Sequence, residues 1–144
     1  MTLGALPAHA EVVVAELLPA VVEWNRGPLA PLAGRPLEDA RVRVAIADVH
    51  DVIATGEPWD AILLDVDNGP DGLTRAGNDR LYGAAGLAAA RASLRPGGVL
   101  AVWSSGPDRR FTARMQKAGF KVEEIGARGH GKSGARHVVW LAVK

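Results

Sequence analysis

The 144-residue sequence predicts an α/β fold, a mostly parallel doubly wound sheet that closes on an antiparallel hairpin. Three observations predict it. Short apolar runs of strand length alternate with segments of helical spacing. The run Asp60-Ala61-Ile62-Leu63-Leu64-Asp65 is continuously aliphatic between acids, the pattern of a strand buried on both faces inside a parallel sheet. The last two runs, Lys121 to Ile125 and His137 to Val143, are joined by a Gly-rich loop, as an antiparallel pair would be.

Each element follows from its residues. After a short lead, Glu11 to Glu16 is a β-branched run between acids and is read as a buried strand. Pro19 is tolerated in the first turn of a helix whose apolar residues are Val21, Val22 and Trp24, and Gly27-Pro28 ends it. Residues 27–40, with their prolines and glycines, form an ordered loop with room for a short helical turn. Arg41 to Asp48 is a strand nearer a sheet edge, because it alternates before becoming apolar. Asp51 to Gly56 is at most a brief helix, and the Asp60 strand follows. Residues 68–79 make a surface loop long enough to fold over a site. Asn78 or Asp79 caps an alanine-rich helix running to Leu94, which Arg95-Pro96-Gly97-Gly98 stops. Val99 to Trp103 is another buried strand. Pro107-Asp108 opens a helix with Phe111, Met115 and Ala118 on one side, and Gly119 ends it.

Composition limits the partners. With 48% hydrophobic and 23% charged residues the chain is an ordinary globular sequence, read as a single domain over residues 1–144. A formal net charge of +1, with no long run of like charges, is too small to argue for nucleic acid or a membrane surface, and neither is expected as a partner. Cysteine is absent, which removes disulfides, thiol nucleophiles and zinc-thiolate sites and suits a reducing cytoplasm. The four histidines have no metal spacing, and the four tryptophans are read as core or near-core packing.

The chemistry is expected where strands end. Glu16, Asp48 and Asp65 each close a successive strand, and open α/β sheets bind ligands outside the carboxyl ends of their strands. Carboxylates there accept hydrogen bonds from ribose hydroxyls or an exocyclic amine and bind cations. The alternatives are plain ones: Glu16 and Asp48 as helix or turn caps, and Asp65 as a solvated loop residue.

Glu11-Val-Val-Val-Ala-Glu16-Leu-Leu-Pro19, Ala47-Asp48, Trp59-Asp-Ala-Ile-Leu-Leu-Asp65 and Leu94-Arg-Pro-Gly-Gly98-Val-Leu together resemble the Rossmann-like class I S-adenosylmethionine-dependent methyltransferase fold, and within it the spermidine synthase (aminopropyltransferase) family. The resemblance implies that Glu16 holds the ribose hydroxyls of a nucleoside and that Asp48 with Val49 holds its adenine. It further implies that Asp65 helps deprotonate an attacking amine, with Asp67 and Tyr82 as further substrate-binding residues. S-adenosylmethionine or its decarboxylated form would be the cofactor, and an amine the substrate. The family's first strand and its Gly-rich turn have no counterpart, so the chain reads as N-terminally truncated relative to the family. That strand lies mid-sheet between those ending at Glu16 and Asp65, and its loss bares apolar edges or makes them pair with each other or with another chain, as in a homo-oligomer. Leu18 stands where the family has an acid, and Trp103-Ser104-Ser105 lacks the family's glutamine.

Two rival functions remain. One is a non-catalytic binding or assembly module derived from the same fold. The other is phosphate binding, since Gly126-Ala-Arg-Gly-His-Gly131-Lys132-Ser133 matches a phosphate-loop pattern. That motif needs a helix directly after it, whereas Arg136 to Leu141 is strand-like.

Overall fold

The computed structural model describes residues 2–55, 58–66, 70, 79–128 and 136–144, and these form two compact units, Met1–Val52 and Ile53–Lys144. In the first unit β1 (Val12–Glu16) pairs in parallel with β2 (Val42–Ile46), Val12 opposite Val42 and Glu16 opposite Ile46. A short α1 (Thr2–Ala5) precedes them. The crossover contains α2 (Pro19–Arg26), which starts at proline, buries Val22, and ends where the Gly27 amide donates to the Glu23 carbonyl at 2.9 Å. The loop of residues 27–40 holds two 3-10 turns, Ala30–Ala33 and Pro36–Glu38. Between them Gly34 and Arg35 both take positive φ, 72° and 55°. Arg35 is there without glycine's freedom, and its guanidinium donates to Glu38 at 2.7 Å.

Apolar burial in this unit is thin. Val22 and Ala30 are buried, while Leu17, Leu18, Leu29, Leu32 and Ile46 are exposed. Trp24, expected in or near the core, is 55% exposed because it lies on the side of α2 away from Val22. Helix α3 (Val49–Ala54) then leads into the second unit.

The second unit is a four-stranded sheet in the order β3-β4-β6-β5. β3 (Trp59–Leu64) runs parallel to β4 (Leu94–Ser104), with Leu64 opposite Val102. β6 (Arg136–Val143) is antiparallel to β4 and to β5 (Lys121–Arg128), which is the hairpin expected from sequence. The alanine-rich segment divides into α4 (Asp79–Tyr82) and α5 (Ala84–Ser93), because Gly83 between them is extended. A side chain at Gly86 would come within 2.0 Å of the Arg80 carbonyl, so only glycine permits this approach. β4 begins at Leu94, earlier than expected, and the surplus residues before Val99 are absorbed around Gly97, whose φ is 78°. Helix α6 (Arg109–Lys117) is capped by Asp108, which accepts from the amides of Arg110 and Phe111 at 2.7 and 3.0 Å.

The core lies on one face of this sheet. Ile62, Leu64, Leu100, Val102, Val138, Trp140 and Ala142 are buried with Leu87 and Ala90 of α5 and Phe111 and Met115 of α6. Phe111 meets Tyr82 and Trp140 edge to face, at centroid distances of 5.7 and 5.0 Å. The sequence predicts β3 as buried on both faces, and here the structure differs. Leu63 is 65% exposed and Ala61 is exposed too, because β3 is an edge strand whose helices cover only the Ile62 and Leu64 face. The single continuous sheet is likewise two sheets, since no described strand stands beside either β1 or β3 on its outer edge.

Candidate functional site

Glu16 and Asp48 come together at the carboxyl end of the first unit's sheet. Glu16 is the last residue of β1, and its carbonyl accepts from Ala47 at 3.1 Å, which joins the two strand ends. One oxygen of its carboxylate accepts from the Leu18 amide at 2.9 Å, bracing the entry to α2. Asp48 caps α3 in the same manner, with Oδ1 accepting from His50 at 2.9 Å and its carbonyl from Asp51 and Val52. The capping alternative is therefore present in the geometry, and it fixes both carboxylates at the strand ends. Val49 opens α3, where its amide has no intrahelical acceptor. A ribose with two donor hydroxyls and a purine with a donor amine beside an acceptor nitrogen suit this set: two acceptor-only carboxylates and one amide donor.

In the second unit Asp65 directly follows β3 and is exposed, and none of the described residues is hydrogen-bonded or ion-paired to it. The adjoining Val66 carbonyl accepts from the Tyr82 hydroxyl at 3.2 Å. Tyr82 is 2% exposed with its ring against Phe111, so in this structure it holds the strand end from within the core. Asp67 and most of the phosphate-loop motif, from Gly129 through Ser133, lie outside the described residues. The chain continues from Arg136 as β6, a strand.

Continuing the β3–β4 register one step puts Trp103 beside Asp65. Sequence alone could not single out Trp103, because nothing in its spacing reveals which strand end it adjoins. Two open hollows, of about 420 and 280 Å³, lie in the first unit around Arg35, Asp39 and Arg41 and around Glu11 to Val13. They sit toward the amino ends of β1 and β2, away from Glu16 and Asp48. No cluster of three or more potential metal ligands occurs among the described residues, and no described helix is long and apolar enough to cross a membrane.

No protein-family model and no curated protein matches the chain. Solved structures do. A spermidine synthase in complex with the transition state analogue AdoDATO aligns over 99% of this chain and 49% of its own, with a TM-score of 0.75 and 18% identity. Spermidine synthase from Thermotoga maritima aligns over 99% and 50%, at 0.76 and 17%. A putative methyltransferase, SMU.776, complexed with SAH aligns over 92% and 39%, at 0.64 and 13%. The chain thus spans about half the length of the spermidine synthases it matches. Parallel strands feeding helices, an antiparallel closing pair and these likenesses define a Rossmann-like class I methyltransferase fold. Within that class the fold is spermidine synthase-like.

Proposed function

We propose that this chain carries the nucleoside and amine sites of a transferase that uses an adenosyl-sulfonium cofactor, either S-adenosylmethionine or its decarboxylated form. The observation that carries the proposal is the pair of braced carboxylates, Glu16 and Asp48, at the carboxyl ends of two parallel strands. Glu16 accepts from the ribose hydroxyls, Asp48 accepts from the adenine amine, and the Val49 amide donates to the ring. When bound, the sulfonium supplies a carbon whose bond to sulfur breaks as the acceptor nitrogen bonds to it, the electron pair leaving with a neutral thioether. Asp65 takes the proton that an alkylamine must lose before its lone pair can attack, and an exposed carboxylate with no partner among the described residues is available for this. Tyr82 keeps the Asp65-Val66 strand end in place, and Asp67 is assigned to the same amine. The cysteine-free composition suits a cytoplasmic setting.

Incubation with decarboxylated S-adenosylmethionine and putrescine should release methylthioadenosine. Asp65→Asn should lower that rate by about 100-fold or more while leaving nucleoside affinity intact. An Asp65→Asn variant that turns over like the wild type contradicts the proposal.

A non-catalytic assembly role is favoured by one separate observation. Within each sheet one outer strand carries charge within its length, and the other has a charge only near one end, Asp60 in β3 and Glu16 in β1. β5 carries Lys121, Glu123 and Glu124, whereas β3 offers Ala61-Ile62-Leu63-Leu64. Likewise β2 carries Arg43, whereas β1 offers Val12-Val13-Val14-Ala15. Outer edges with an uninterrupted aliphatic stretch of this kind pair readily with another chain, including a second copy.

A further inference from the structure

We infer that the face of the β3-β4-β6-β5 sheet turned away from α5 and α6 is a dimerisation surface, and that its occupant is a second copy of this chain related by a two-fold axis. This face is distinct from the outer strand edges, and the transferase reading does not depend on it.

Strand alternation assigns the two faces. Leu64, Val102, Trp140 and Ala142 are buried on the side of Leu87 of α5 and Phe111 of α6. The register partners Trp140 and Glu124 both reach Thr112 of α6, the indole Nε1 donating to its hydroxyl at 2.9 Å, which places β5 in the same frame. Helix α4 joins that side through Tyr82 against Phe111. The alternate residues point the other way, and there Leu63, Ile125 and Val143 are exposed.

The registers arrange this second face in rows. One row reads Ala61, Val99, Val143, Lys121, and the next reads Leu63, Ala101, Leu141, Glu123. Trp103, Val139 and Ile125 make a third. The charges in these rows are Lys121 and Glu123, both exposed and neither paired with another described residue. A two-fold axis between two copies, perpendicular to the strands and midway between the first two rows, reverses strand direction and keeps strand order. It lays the first row of each copy on the second row of the other, with the roughly 30° offset that sheet twist imposes. Ala61 of one copy then meets Leu63 of the other, Val99 meets Ala101, and Lys121 meets Glu123, each twice by symmetry. Small faces large, and cation faces anion. This match selects a second copy, because a helical partner would need an apolar stripe but no opposite alternation in adjacent rows. Three rows about 6.7 Å apart on four strands about 4.8 Å apart cover on the order of 400 Å² in plan, less than the ~800 Å² per partner of a standard interface, so the dimer is a reversible one.

Sedimentation velocity over a concentration series tests this. The wild type should pass from the mass of one chain to that of two as concentration rises. Lys121→Glu and Glu123→Lys should each weaken self-association by about tenfold or more, since each sets like charges opposite one another at both symmetry-related positions. An equimolar mixture of these two variants should recover the two-chain species, because the mixed dimer restores both opposite-charge pairs. Val143→Lys, at an exposed position on the inner strand β6, should weaken the dimer too, whereas pairing through a strand edge would be indifferent to it. Circular dichroism checks that each variant keeps its fold. A wild type that stays monomeric up to about 1 mM overturns the inference. So does a mixture no more associated than its components, and so does a dimer that survives Val143→Lys, which would put assembly at a strand edge.

Discussion

Asp39 and Arg41 show how one residue pair organises a thin unit. The Arg41 guanidinium donates to both carboxylate oxygens of Asp39, through Nε at 3.0 Å and Nη2 at 2.7 Å, and the Arg41 amide adds a third bond at 2.9 Å. Its Nη1 reaches the carbonyls of Leu6 and Pro7, both at 3.3 Å, tying the chain's lead to the start of β2. These side-chain hydrogen bonds, followed by the backbone one, hold the Asp39 carboxyl at about 2, below its ordinary 3.8. A depressed carboxyl pKa stabilises the fold fully above the unfolded value and loses that contribution as pH falls through the folded one. Thermal unfolding of the wild type and Asp39→Asn should therefore differ most above about pH 4 and converge toward pH 2. A difference independent of pH would show that the charge contributes nothing. Sequence displayed some residue roles and hid others. Asp108 after Pro107 is legible as a cap because capping is local, as it is for Glu16 and Asp48. The reach of Arg41 across 35 residues, or of Tyr82 across 16, depends on tertiary placement that no local pattern records.

The elements themselves were largely legible, because strand and helix periods are local properties. The strands, the crossover helices and the closing hairpin stand where the apolar runs place them. What a run cannot record is which of its faces will be covered. Asp60 to Asp65 has the composition of a doubly buried strand, yet β3 is an edge with Leu63 65% exposed. The break at Gly83 was equally hidden, since a lone glycine among alanines fits an unbroken helix. If the aliphatic Ala61–Leu64 stretch of the β3 edge serves assembly, sedimentation should give a mass above that of one chain. Leu63→Lys should then return it to the monomer, because a lysine on an edge strand opposes strand addition. A wild type that sediments as a monomer at all concentrations removes the assembly role.

At the scale of the whole molecule, the fold class was readable because Leu94-Arg-Pro-Gly-Gly98 and the strand-end acids are local signatures of a recurrent architecture. The described strands divide into a two-stranded and a four-stranded sheet, with β1 and β3 each at an outer edge. Glu16 and Asp48 are brought together by β1 and β2, and Asp65 belongs to the other unit. Only the first two acids thus share a described sheet end. The claim that this end binds an adenosine-type ligand is tested most directly by calorimetry with methylthioadenosine on the wild type, Glu16→Ala and Asp48→Ala, with circular dichroism confirming that α2 and α3 persist. Saturable binding by the wild type is expected, with about a 10- to 100-fold loss in each variant, the cost of a hydrogen bond to a charged group. No binding by the wild type, or equal binding by all three proteins, would contradict it.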